Sequence, residues 1–371
     1  MPQAEIAAKL ARVHDFCSRH RLDGLFLWKR NNFAWITAGR DNHVANFRPD
    51  GVAGILVADG KLTCLCDGIE APRMRDEELA GSGIEVVEFD WWDEAAARRR
   101  IADVISGRRM AIDRETDFKG LSLEPLPPDF AQIRWALTPA EIERYREGGR
   151  RTALAIENAC RLIQPGDTEH DIAAVLDEQV RRQGLKPVVN LVAADQRVER
   201  FRHPIPTAQP MHRYAMLVIC AEHAGLIANC TRLVHFGALP AELARRHQAV
   251  CNVDAQVNLS TVPGRTLGEL FAVIQSAYAD NGFDGEWRKH HQGGSTGYDG
   301  REVFATPAST VAILPDQAFA WNPSIAGTKS EDTVLVRPGG VEVLTPHGRQ
   351  WPTVEGRGTA GVLARCGILV R

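Results

Sequence analysis

The segment His290–Glu302 (His-His-Gln-Gly-Gly-Ser-Thr-Gly-Tyr-Asp-Gly-Arg-Glu) packs two imidazoles, an acid pair and a guanidinium among glycines. Imidazole holds or releases a proton near neutral pH. Glycine lets backbone fold closely around a small ligand. His290 and His291 are consecutive, so on a strand they point to opposite faces and at most one enters a site; His291 is favoured. Arg301 can fork onto a substrate carboxylate or pair with Glu302 or Glu331, and both readings stand. Outside the segment, His203 sits between Arg202 and Pro204 on a strand-edge loop. It is either a general acid/base or a surface histidine. Glu331 opens a strand; it either holds an ammonium or amidinium group, or orients water, or is a surface acid. Asn229 and Asn322 offer amide hydrogen bonds, and in a core they need partners. Cys220 and Cys230 lie in apolar runs without a Cys-His-Asn pattern, so both read as core thiols. Cys220 still falls beside the candidate pocket. Tyr298 and Trp321 are the aromatic candidates for lining it, ahead of Trp28, Trp35 and Trp287. His290 and Glu302 complete the candidate substrate-binding set.

The elements that carry these residues follow from periodicity. Ile6, Leu10, Val13 and Phe16 mark a helix over 4–20. Strand-like runs at 24–28, 52–57, 62–66, 84–89 and 109–113, with a helix at about 92–106, make the first part α/β. Pro125, Pro127 and Pro128 mark its end and a linker. The boundary is placed at 135/136. Thr138-Pro139-Ala140-Glu141 is a capping box with proline at the first helical position, opening a helix that runs to Ile163. Thr168 to Asp171 caps the next helix, to about Gln183. Further helices are expected near 241–258 and 266–281. Strands are expected at 215–221, 226–233, 317–321 and 332–336. A two-fold repeat of helix pair then strands is possible within this second part.

Composition narrows the classes. The chain has 371 residues, 44% hydrophobic and 25% charged, with a net charge of -3. That is a globular protein with no electrostatic reason to bind nucleic acid or an anionic membrane. No apolar run approaches a membrane span. The start, Met1-Pro2-Gln3-Ala4-Glu5, does not read as a signal peptide. Eight scattered cysteines without Cys-x-x-Cys suggest reduced thiols in the cytoplasm. Cys64 and Cys66 alternate on a strand and share a face.

Four stretches, in order, resemble the creatinase, aminopeptidase P and prolidase family: 138–169, Phe201-Arg202-His203-Pro204 through Thr231-Arg232, His290–Glu302, and Ala320-Trp321-Asn322-Pro323 through Val336. Asn31 to Gly39 resembles the family's N-terminal domain. The resemblance implies an α+β protein. Its C-terminal pita-bread domain, a curved antiparallel sheet covered by helices, would follow a smaller N-terminal α/β domain. It also implies a homodimer acting on a small-molecule substrate.

The family's peptidases hold two divalent ions with two Asp, one His and two Glu. Aligned here, those positions carry Cys220, Asn229, Gly294, Asn322 and Glu331, and the hairpin before Asn229 is about two residues short. A site rebuilt from His203, His223, Cys220 or His291 has no supporting spacing. The expectation is therefore no cofactor, with two ions such as Mn or Zn as the alternative. Creatinase resembles the peptidases yet hydrolyses a C–N bond without metal. It keeps the histidine that matches His203 and takes substrate carboxylate on a partner's arginine at the place of Arg48. It departs from this chain at Asn322 and Arg301. The expected function is metal-independent hydrolysis of a C–N bond in a small amino-acid-like or guanidino substrate, with His203, Glu331 and His291 catalytic. The rivals are a metal-dependent Xaa-Pro peptidase and a non-catalytic binding protein.

Overall fold

The structure, a computed structural model, describes residues 2–105, 107–114, 121 and 123–371. The chain divides into two units, Met1–Arg134 and Trp135–Arg371. Met1 and Ser106, the ends of two stretches read from the sequence, lie outside the described residues.

The first unit is built on a six-stranded sheet. Its order is Glu85–Phe89, Lys61–Asp67, Asp50–Ala58, Gly24–Lys29, Met110–Ile112, Leu123–Pro125. Phe26, Trp28, Leu56, Leu65, Ile101 and Met110 form its core with the helix Glu94–Ile105. The proline-rich stretch read as a linker is instead this edge strand followed by a 3-10 helix, Pro128–Arg134. Proline suits both places, because an edge strand and a helix start each leave an N–H unpaired anyway. Trp28 and Trp35 are core residues here.

The second unit repeats one layout. Helices Pro139–Leu162 and Glu169–Arg182 cover a four-stranded sheet ordered Leu369–Val370, Leu226–His235, Tyr214–His223, Lys186–Ala194. Helices Ala241–Ser260 and Leu267–Asp280 cover a five-stranded sheet ordered Val303–Phe304, Gly293–Thr296, Ala318–Trp321, Asp332–Arg337, Gly340–Val343. Three of the four helices begin with complete capping boxes, at Thr138/Glu141, Thr168/Asp171 and Thr266/Glu269. Each satisfies two N–H groups that the helix cannot, worth about 1 kcal/mol. The hairpin between Tyr214–His223 and Leu226–His235 turns on Ala224 and Gly225, both at positive φ. That two-residue turn explains its shortness.

The two sheets are stitched where Leu226–His235 meets Asp332–Arg337. The Thr231 amide donates to the Glu331 carbonyl at 3.1 Å, and the Asn229 amide to Thr333 Oγ1 at 2.7 Å. Behind this seam runs a buried ionic ladder. Arg232 meets Asp332 at 3.0 Å, and Arg365 bridges Asp332 at 2.8 Å and Asp254 at 2.7 Å. Glu157 lies 3.8 Å from Arg232.

Candidate active site

On the other side of the seam lies a cavity of about 370 Å³, large enough for a small molecule. Strand alternation supplies one wall: Val189, Leu191, Val218, Cys220 and Asn229, with Cys220 and Asn229 directly opposite each other in register. Asn322, Lys329 and Glu331 come from the second half of the unit, Gly300 and Arg301 from the turn after Gly293–Thr296, and His203 and His291 from loops.

Glu331 is buried and bound from three directions. Arg301 Nη2 donates to Oε1 at 3.0 Å; Lys329 Nζ at 2.6 Å and Thr231 Oγ1 at 2.7 Å reach Oε2. Burial pushes its carboxyl up, but Lys329 and Arg301 more than reverse this and hold it at about 2. The carboxylate is therefore spent on side-chain cations and does not offer itself to a substrate ammonium. Arg301 faces the cavity and pairs with Glu331. Two cations stand against one acid on this wall. The sequence reading missed Lys329, although it lies two residues from Glu331, the spacing that shares a strand face.

The three histidines converge. His203 Nε2 lies 3.0 Å from His290 Nε2. Ring centroids are 4.4 Å apart for His290 and His291 and 5.3 Å for His203 and His291. Of the two, His291 lines the cavity and His290 does not, although the His290 ring meets both His203 and His291. His290 and His291 follow a 3-10 helix, Glu286–Lys289, and precede Gly293–Thr296, so no regular strand alternation separates them. The Arg202–Glu286 ion pair, 2.7 Å, joins the His203 loop to that helix. Buried Glu169 holds the same loop through Arg197 at 2.8 Å and the Thr207 hydroxyl at 2.7 Å. All three rings are shifted towards the uncharged form, by burial first. Lys329 then adds to the shift for His203 and His290, and Arg301 for His291. His290 falls to about 2 and His291 to about 4.

Asn229 and Asn322 line the cavity, and the Oδ1 of each is buried without a hydrogen-bond donor. Asn229 Nδ2 donates to Thr296 Oγ1 at 3.1 Å. Cys220 lines the wall, but burial pushes its thiol up to about 12, the wrong direction for a nucleophile. Cys230 is in the core.

Five further candidates do not line this cavity. Trp321 stacks on Phe319 in the helix-facing core and donates to Thr261 Oγ1 at 3.0 Å, because alternation gives the cavity face to its neighbour Asn322. Tyr298 turns towards the long helix, where its hydroxyl donates to Glu141 Oε1 at 2.7 Å. Glu302 closes the turn, its Oε1 accepting the Tyr298 amide at 3.2 Å. Trp287 packs edge-on against Phe271. Arg48 belongs to the first unit, exposed, with its guanidinium 5.7 Å from the Phe47 ring centroid.

The profile of metallopeptidase family M24 matches residues 143–338. The chain belongs to metallopeptidase family M24. A solved Xaa-Pro dipeptidase from Bacillus anthracis shares the fold, with a TM-score of 0.77 over 99% of this chain and 100% of its own, at 17% identity. The prolidase of Pyrococcus horikoshii OT3 gives 0.77 over 92% and 99%, at 19% identity. An uncharacterized peptidase of Staphylococcus aureus (strain MW2) is 18% identical over 357 residues, 91% of this chain and 99% of the relative. The pita-bread fold and the kinship with creatinase, aminopeptidase P and prolidase stand.

Membership of a metallopeptidase family overturns the expectation of no cofactor. The family implies a divalent metal, held by the residues at its usual ligand positions. They do not fit a carboxylate-bridged pair of ions. Asn229 and Asn322 are neutral, and the acid at Glu331 is already held by Lys329 and Arg301. Gly294 excludes a histidine sterically, since a Cβ there would lie 2.0 Å from the Val303 carbonyl oxygen on the paired strand. Among the described residues, one group of metal-capable side chains stands out: His203, His290 and His291, without His223 or Cys220. No described helix is long and apolar enough to cross a membrane.

Proposed function

We propose that this chain hydrolyses a C–N bond in a small amino-acid-like substrate bearing an anionic group. The observation that carries this is the pairing of two cations, Lys329 and Arg301, with one carboxylate on a cavity wall beside uncharged histidine. The surplus positive charge takes the substrate carboxylate, and Arg301 offers it a planar fork. The Oδ1 atoms of Asn229 and Asn322 accept from the substrate's N–H groups, which explains why two buried acceptors are left without protein donors. His203 is accessible at the cavity with its ring shifted towards the neutral form, so it takes a proton from attacking water and returns it to the leaving nitrogen. His290, at 3.0 Å, fixes its tautomer and orientation.

The test is turnover of Xaa-Pro dipeptides, N-acyl amino acids and guanidino acids by the full chain. His203→Ala should lower turnover by about a hundredfold or more, the usual worth of a general base. It should leave urea stability within about 0.5 kcal/mol, as the side chain is exposed. The neutral residues at the usual ligand positions favour one second reading, a binding protein without turnover. Ligand binding that survives His203→Ala, with no substrate consumed, would establish that reading instead.

A homodimer in which Arg48 adds a cation to a second copy's cavity belongs to the same proposal. It is supported by the exposure of Arg48 and Phe47. Mixing Arg48→Ala with His203→Ala protein should then restore part of the activity that each lacks alone. Residence in the reducing cytoplasm is proposed on the eight unpaired cysteines.

A further inference from the structure

We infer that His203, His290 and His291 form a binding site for a single borderline divalent ion, of the zinc, copper or nickel class, apart from the positions at which the family holds its pair. This inference does not rest on the proposed hydrolysis. The ligand nitrogens of the three rings all lie within 4.8 Å of one another. A tetrahedral ion with bonds of about 2.0–2.1 Å needs its nitrogens about 3.3 Å apart, so the rings shift by about an ångström or less to close on it. Neutral imidazole is the ligand form, and uncharged nitrogen donors select borderline d-block ions over Mg or Ca.

Two independent observations point to a ligand. The Nδ1 atoms of His290 and His291 are buried without a hydrogen-bond partner, so lone pairs or N–H groups there go unused. The cluster is also built from outside. Arg202–Glu286 clamps the two histidine-bearing segments together, and both partners are largely shielded from solvent. A chance meeting of surface histidines would have no such brace. The arrangement of three histidines and an open fourth position facing a cavity is the general form of a reactive zinc site, which keeps that position for water or substrate.

Charge sets the fourth ligand. Lys329 acts on all three rings and Arg301 on His203 and His291, and Glu331 offsets only part of their charge. A bare dication is disfavoured there, so the ion enters with an anion, hydroxide or a carboxylate, in the open position. The usual objection to a metal beside cations becomes a statement about which co-ligand comes with it.

The experiment uses the full, tag-free chain, stripped with chelator and dialysed. Zinc chloride titrated by calorimetry should bind at one equivalent. Copper(II) added at one equivalent should give an electron paramagnetic resonance spectrum with imidazole nitrogen couplings in the unaltered protein. His203→Ala, at an exposed position, should weaken zinc at least tenfold, and His291→Gln should do the same. Lys329→Met should tighten it several-fold by lifting the repulsion. No zinc binding, copper spectra without imidazole nitrogen, or zinc affinity unchanged in His203→Ala would each overturn the inference. So would two equivalents that survive His291→Gln and vanish in Glu331→Gln, since that result returns the ions to the family's positions.

Discussion

Glu331 immediately precedes the strand that Asp332 opens; both are buried, and their side chains face opposite ways. Asp332 enters a ladder in which Arg232 and Arg365 are shared among Asp332, Asp254 and Glu157, with Thr345 Oγ1 donating at 2.8 Å. With Arg161 3.5 Å from Glu157, three cations there face three acids. Glu331 enters a cluster in which one acid faces two cations, and a cavity opens on it. Balanced buried charge holds elements in place. Unbalanced buried charge is tolerable only where something else supplies the missing sign. One peptide bond separates structure from chemistry, because alternation sends successive side chains to opposite faces.

The largest effect should come from breaking the balanced side. Arg365→Leu leaves Asp254 and Asp332 each short of a buried partner, and should cost about 3–5 kcal/mol in urea unfolding. A loss below about 1 kcal/mol would mean that the ladder is slack and the contrast with the cavity side is unfounded.

A smaller and different effect is expected from Lys329→Met. Glu331 keeps Arg301 and Thr231, so the fold survives. What goes is the surplus positive charge. Binding of anionic ligands should weaken about tenfold to a hundredfold, the worth of a charge-assisted hydrogen bond of about 1.5–3 kcal/mol. The acid limb should change too. A carboxyl held at about 2 when folded contributes stability that is complete above its ordinary value near 4.5 and is lost as pH falls from there through 2. Without Lys329 the folded value rises towards 4.5, so that slope should flatten. Ligand affinity that is unchanged in Lys329→Met would remove the cation surplus from the account of the site.

How much of this was legible depends on how local each cause is. The capping boxes at Thr138 and Thr168 and the strands of the second unit were legible, because caps and alternation act within a few residues. Asn229, Cys220, Asn322 and Arg301, all singled out in the sequence, were found on the cavity wall. Trp321 was not, although its neighbour was; period two alone would have put them on opposite faces. Lys329 was legible by the same rule applied from Glu331. Tyr298 and Glu302 sit in a turn, where spacing fixes no face. The convergence of His290 with His291 was hidden, because a 3-10 helix end removes the alternation that the reading assumed. Nothing local could reveal Arg202–Glu286, whose partners lie 84 residues apart.

The gentlest way to sharpen the contrast is pH. The folded rings of His291 and His290 titrate at about 4 and about 2, against an ordinary value near 6.5. Between those values the unfolded chain binds more protons than the folded one, so stability rises with pH. The contribution is complete above about pH 6.5. It is lost as pH falls through 4 for His291 and on towards 2 for His290. His291→Gln should therefore flatten the urea stability profile between pH 6.5 and 4. The flattening is partial, because His247 also falls to about 4, buried against Thr328 Oγ1 at 2.7 Å and the Cys366 carbonyl at 2.9 Å. His247→Gln supplies the comparison. It should flatten the same window without touching ligand affinity, since His247 does not line the cavity. His291→Gln should alter both. Equal effects of the two substitutions on affinity would show that the cavity histidines are packing residues, and that the unbalanced side of the seam is no more a site than the balanced one.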